Sequence, residues 1–131
     1  MKTVDPTVAI VDDDEHVRRG LRRIVASLSY STVEFASGKA FLAALDGGTI
    51  ACVLLDLHMP ELNGIDVMLR MRADDKMVPV ILITGGDDAK MKERCMRAGA
   101  SAYLIKPLTR EAILQAIQSL AGFPGHDRAP A

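Results

Sequence analysis

Five side chains able to do chemistry stand at matching places along this 131-residue chain. Asp12 and Asp13 follow the apolar run 7–11, Asp56 follows 50–55, Thr84 follows 78–83 and Lys106 follows 102–105. Each run is short and rich in β-formers. The runs 50–55 and 78–83 are apolar without a break, as strands covered on both faces are. In an open parallel sheet flanked by helices, ligands bind at the carboxyl edge of the strands. Singly, each residue has a plainer explanation. Asp56 ends a strand or caps a turn, Asp12 is a helix-terminus acid like Asp14 and Glu15, and Lys106 before Pro107 is a turn lysine. Those explanations leave the gathering of polar residues at four strand ends as a coincidence.

Carboxylates brought together at one edge repel and raise one another's pKa unless a cation neutralises them. The donors are all oxygens, with no Cys or His in the pattern, so a hard ion is implied. Mg2+ fits, because one or two carboxylates hold it while it keeps waters and a place for a phosphate oxygen. Lys106 supplies positive charge on the opposite side and Thr84 a hydroxyl. The set suits a phosphoryl group in transfer, with an aspartate as nucleophile, an acyl phosphate as product, and metal and lysine neutralising the equatorial oxygens.

The composition bounds the setting. With 49% hydrophobic and 25% charged residues the chain is one globular domain with a real core. We expect that domain over 1–121, and a flexible tail or linker stub over 122–131, rich in Gly, Pro and Ala. A net charge of -1 gives no electrostatic footprint for nucleic acid, so direct DNA binding by this chain is not expected. No apolar run approaches membrane-spanning length, and residues 1–7 lack the features of a secretory signal, which makes the cytoplasm the default. Cys52 and Cys95 suit small core hydrophobes rather than a disulfide framework. His16, His58 and His126 have no metal-ligand spacing.

Helical spacing fills the gaps between the strands. Val17, Leu21, Ile24, Val25 and Leu28 mark a first helix, whose arginines 18, 19, 22 and 23 read as a solvated face. Residues 32–36 alternate as a half-exposed edge strand, with Val33 and Phe35 on one face and Thr32 and Glu34 on the other. Ser37 caps a second helix that stops at Gly47-Gly48. Ile65, Met68, Leu69 and Arg72 mark a third, with the methionines as core filler. The charged stretch 87–97 is a fourth, held by the narrow stripe Met91, Cys95 and Ala98, which is the weak anchoring a movable element needs. Thr109 caps a fifth helix carrying Ala112, Ile113, Ala116, Ile117 and Leu120. Five strands alternating with five helices give an α/β class, a doubly wound parallel sheet.

Four stretches in order carry a resemblance: V-D-D-D-E at 11–15, L-L-D-L-H-M-P-E-L-N-G at 54–64, I-T-G-G at 83–86 and A-G-A-S-A-Y-L-I-K-P at 98–107. Each alone is weak, and the ordered set at these spacings is specific. From about 8 to 120 the chain resembles a bacterial response-regulator receiver domain of two-component signalling, in the CheY-like superfamily. Around 83–85 and the early helix it is similar to the FixJ-type subgroup. The resemblance implies a flavodoxin-like sheet in strand order 2-1-3-4-5. It also implies that Asp56 is the phosphoacceptor for a sensor histidine kinase, and that the chain is not an enzyme beyond its own phosphorylation and dephosphorylation. Asp13 and Asp56 would then ligate Mg2+ directly, with the backbone carbonyl of His58, and Asp12 through water. Lys106 would pair with phosphoryl oxygens. Thr84 and Tyr103 would move as a switch, Pro107 would follow a cis peptide, and the surface of the fourth helix, fifth strand and fifth helix would change shape for a partner. His16 stands where proline is frequent in the family, and His58 offers an imidazole beside the phosphate.

Two other enzymatic or binding classes compete. In a haloacid-dehalogenase-type phosphatase, Asp12-Asp13-Asp14 is the D-x-D signature, with Asp12 attacking and Asp14 as acid-base. Against it, Asp56 is idle, His16 replaces the usual Thr or Val, and no acidic pair follows Lys106. A flavodoxin-like cofactor binder needs a hydroxyl- and glycine-rich loop where this chain has four acids. Within the preferred reading, a stand-alone receiver and the receiver of a longer regulator with a DNA-binding output domain both stay open. A downstream effector, and a homodimer formed on phosphorylation through the fourth and fifth helices, are the further partners to test.

Overall fold

A computed structural model describes residues 6–86 and 88–120. Five parallel strands, β1 (Thr7–Val11), β2 (Ser31–Phe35), β3 (Ile50–Asp56), β4 (Val80–Thr84) and β5 (Ala102–Ile105), lie in the order β2-β1-β3-β4-β5. Helices α1 (Glu15–Ser27), α2 (Gly38–Ala44), α3 (Gly64–Ala73), α4 (Ala89–Arg97) and α5 (Arg110–Gln118) connect and close the strands. This is the doubly wound, flavodoxin-like sheet that the spacing and the resemblance implied. The expected tail 122–131 lies outside the described residues.

Side chains alternate across a strand, so each central strand feeds two apolar layers. Val8, Ile10, Leu54, Ile81 and Ile83 pack with Leu21 and Val25 of α1 and Ile113 and Ile117 of α5. Ala9, Val11, Val53, Leu55 and Leu82 pack with Phe41 of α2, Met68 and Met71 of α3 and Cys95 of α4. Both cysteines are buried and free, and burial pushes the Cys52 thiol up to about 12. Val33 and Phe35 of β2 lie half-buried against the second layer, as an edge strand allows.

Each helix starts on a side chain that accepts a first-turn N–H: Asp14, Ser37, Asn63, Asp88 and Thr109. Asn63 and Asp66 complete a reciprocal capping box at α3, just after the strand that carries Asp56. The second helix ends in a 3-10 turn, Leu45–Gly47, closed by Gly48 at φ +71°. The fourth strand starts at Val80 rather than Val78, because Pro79 has no N–H to pair, although its carbonyl still accepts from Val53 N–H at 3.0 Å. The fourth helix starts at Ala89, behind its Asp88 cap. Within it Cys95 is buried and Met91 half-buried, in keeping with a narrow anchor.

One face differs from expectation. The third helix buries Gly64, Val67, Met68 and Met71, and leaves Leu69 47% exposed. The inward stripe therefore starts on a glycine. A Cβ at Gly64 would stand 2.8 Å from Leu82 Cδ1, 3.0 Å from Leu57 Cα and 3.1 Å from the Asp56 carbonyl oxygen. Only a residue without a side chain lets α3 lie directly on the end of β3.

Candidate functional site

Strand register brings the predicted residues to one edge. Val11 is level with both Phe35 and Leu55, Asp56 with Ile83, and Thr84 with Ile105. Hydrogen bonds carry the ladder one step further. Asp12 N–H donates to Phe35 O at 3.2 Å, Leu57 N–H to Ile83 O at 2.8 Å, and Lys106 N–H to Thr84 O at 2.8 Å. The backbone beneath each chemical group is thereby held by its neighbour.

Above that edge, one oxygen from each of Asp12, Asp13 and Asp56 lies within 4.8 Å of the other two. The Lys106 ammonium stands 3.6 Å from Asp12 Oδ2 and 3.7 Å from Asp56 Oδ1. Asp12 and Asp56 are 2% and 6% exposed, and Asp13 faces solvent. Burial first, and then the Asp12 charge, push the Asp56 carboxyl up to about 6, against the pull of Lys106 and the His58 backbone N–H. Burial likewise raises Asp12.

Asp12 Oδ1 accepts from Asp14 N–H at 2.9 Å, whereas Oδ2 is buried with no hydrogen-bond partner among the described residues. The Lys106 ammonium at 3.6 Å offsets its charge without hydrogen-bonding it, and a hydrated cation shared with Asp13 and Asp56 would supply the close contact that Oδ2 lacks. Three hard oxygen donors, two buried and one open to water, fit Mg2+, which keeps part of its hydration shell. Asp14 belongs elsewhere. Its side chain caps α1 by accepting from His16 N–H at 2.8 Å, so it does not face Asp12 as the acid-base partner a D-x-D phosphatase requires.

Thr84 and Tyr103 meet at Gly86. The buried Thr84 hydroxyl accepts from Gly86 N–H at 3.2 Å, while the half-buried Tyr103 hydroxyl lies 3.5 Å from Gly86 O as donor. Lys92 of α4 stands 6.0 Å from the Tyr103 ring centroid. The Lys106–Pro107 peptide is cis, as the resemblance implied. Beside Lys106 a groove of about 240 Å³ runs between Pro107-Leu108 and the α1 residues His16, Gly20 and Ile24. His58 is exposed.

The solvated arginine face needs correcting at Arg18. That side chain is 15% exposed, its Nη1 donates to the Asp12 carbonyl at 2.6 Å, and its Nε lies 3.4 Å from Glu34 of β2. Arg22 reaches Glu34 from the other side at 3.0 Å. The available signal was the pair Arg18 and Arg22, four residues apart, facing the lone acid on the outer side of β2.

Comparison with known proteins agrees with this fold. The chain is 33% identical over 112 residues to the response regulator protein TodT of Pseudomonas putida, covering 86% of this chain and 49% of that protein. It spans about half the length of the curated relatives it matches. The crystal structure of FixJ-N superposes with a TM-score of 0.82 at 32% identity, covering 88% of this chain and 93% of that one. The CheX-CheY-BeF3-Mg2+ complex from Borrelia burgdorferi gives 0.80 at 29% identity, with 87% of each chain covered. The family model described as the response regulator receiver domain matches residues 8–118. On that match and on the fold, the chain belongs to the response regulator receiver domains of two-component systems.

Proposed function

We propose that residues 1–121 form a phosphoacceptor receiver in which Asp56 takes a phosphoryl group from the phosphohistidine of a sensor histidine kinase, or from a small acyl phosphate. The observation that carries this reading is the Lys106 ammonium, 3.7 Å from Asp56 and facing a cluster of three carboxylates across the sheet edge. Support also comes from the similar CheY of Borrelia burgdorferi, solved with BeF3 and Mg2+.

An Asp56 carboxylate oxygen attacks phosphorus, the P–N bond of the donor breaks, and the imidazole leaves with the electron pair. Lys106 neutralises charge on the equatorial oxygens and the Thr84 hydroxyl offers them a hydrogen bond. Asp12 and Asp13, with Asp56 and the His58 carbonyl, would hold Mg2+, Asp12 through water. Bound there, the ion supplies charge neutralisation and a template for the transferring group. Thr84 leaves the Gly86 N–H for the phosphoryl group, and Tyr103, which grips the same residue from β5, follows. The surface of α4, β5 and α5 then differs between the two states, and a partner that binds one of them better is what makes a switch.

On this reading the partners are a sensor kinase, a downstream effector or output domain, and a second copy of the chain on phosphorylation. Among the described residues no helix is long and apolar enough to cross a membrane. The cytoplasm, where such kinases present their phosphohistidine, is the proposed location. Intact-mass measurement after treatment with acetyl phosphate and Mg2+ tests the assignment. The chain gains one phosphoryl group, Asp56→Asn gains none, and omission of Mg2+ suppresses the gain. A fully reactive Asp56→Asn overturns the reading in favour of Asp12.

A further inference from the structure

The peptide between Asp12 and Asp13 carries two of the three carboxylates on either side of it, so its orientation decides where both acids point. The Asp12 backbone is gripped on both sides of its Cα, and the Asp12–Asp13 peptide itself through its carbonyl. Asp12 N–H donates to Phe35 O of β2, and the Asp12 carbonyl accepts from Arg18 at 2.6 Å. The guanidinium does not reach there by chance. Its Nε faces Glu34 at 3.4 Å, and Glu34 is steadied from its other oxygen by Arg22 at 3.0 Å. The fork of an arginine suits this task because its donors are fixed in one plane, so anchoring one end aims the other. With Arg18 15% and Glu34 27% exposed, the pair is partly sheltered from water that would loosen it.

We propose that Arg18, anchored by Glu34, is a positioning residue for the cation site: it fixes the Asp12 carbonyl and so holds the Asp12 and Asp13 carboxylates converged on Asp56. Arg18 touches no reacting atom and acts through the β1–α1 turn. Its charge is not what the site uses, because Glu34 already faces it. The inference rests on the proposed Mg2+ site, and the experiment separates the two.

Mg2+ is titrated into the full chain by calorimetry, with no phosphodonor present. The variants are Arg18→Ala, Arg18→Lys, Glu34→Gln and the exposed-face control Arg23→Ala. Groups behind metal ligands typically change affinity by 10–100-fold. Arg18→Ala and Arg18→Lys are each expected to weaken Mg2+ binding about tenfold, because a lysine keeps the charge but loses the fork. Glu34→Gln weakens it less, and Arg23→Ala not at all. With acetyl phosphate added, raising Mg2+ restores the maximal phosphorylation rate of the Arg18 variants, which is the split a positioning role predicts. If Arg18→Ala does not fold, Arg18→Lys and Glu34→Gln carry the test. Wild-type affinity in Arg18→Lys, or a maximal rate lost at unchanged affinity, overturns the positioning role. A wild-type chain that binds no Mg2+ overturns the site itself.

Discussion

Replacing Asp56 by asparagine is expected to stabilise the cation-free protein even as it removes the phosphoacceptor. Burial and the neighbouring Asp12 charge hold the Asp56 carboxyl at about 6, against an ordinary aspartate value of 3.8. A proton held that much more tightly in the folded than in the unfolded chain corresponds to up to about 3 kcal/mol. The sign follows from linkage. Between 3.8 and about 6 the folded state binds a proton that the unfolded state has released, so stability falls as pH rises through that window and the full cost is present above it. Asparagine has the shape of the neutral acid and never carries the charge. Urea unfolding with chelator present, at about pH 7.5, should therefore show Asp56→Asn more stable by about 2–3 kcal/mol, and the gain should vanish near pH 4. Saturating Mg2+ should close the gap from the other side by stabilising the wild type and not the variant. A variant that is no more stable at neutral pH, or a gain that does not depend on pH, would refute the assignment of buried carboxylate strain to Asp56.

Three further outcomes are expected. Gly64→Ala forces a Cβ against Leu82 and the backbone of Leu57 and Asp56, so it should cost about 1–3 kcal/mol in denaturant unfolding and also weaken Mg2+ binding. Gly20→Ala, in mid-helix with open space around the added carbon, should instead stabilise by about 0.5–1 kcal/mol, read as a higher unfolding midpoint. Asp13→Ala should weaken Mg2+ binding at least about tenfold by calorimetry, whereas Asp14→Ala should leave affinity unchanged and cost about 1 kcal/mol of stability through loss of the α1 cap.

The parts of this molecule legible in the chain were those written in local hydrophobicity. The runs behind Asp56 and Thr84 are apolar without interruption because β3 and β4 are covered on both faces, and each ends where a polar group meets the sheet edge. Convergence of Asp12, Asp56 and Lys106, with Thr84 at the same edge, followed from parallel strands ending nearly level. The inward face of α3 was not legible, since its first contact is Gly64, a residue that packs by having no side chain and adds nothing to a hydrophobic pattern. Arg18 was misread for a different reason. Its role depends on β2 lying beside β1, so that Glu34 comes within reach, and that is a fact of topology rather than of helix periodicity. The late start of β4 turns on the missing N–H of one proline.

The acids and the lysine converge so that, on the proposed function, one carboxylate, at the end of β3, becomes the acyl phosphate. Borohydride trapping after treatment with acetyl phosphate and Mg2+, followed by peptide mass mapping, reads this directly, because reduction converts a phosphorylated aspartate to homoserine. Homoserine is expected at position 56, with unmodified aspartate at 12 and 13. Homoserine at 12 or 13, with 56 untouched, would contradict it.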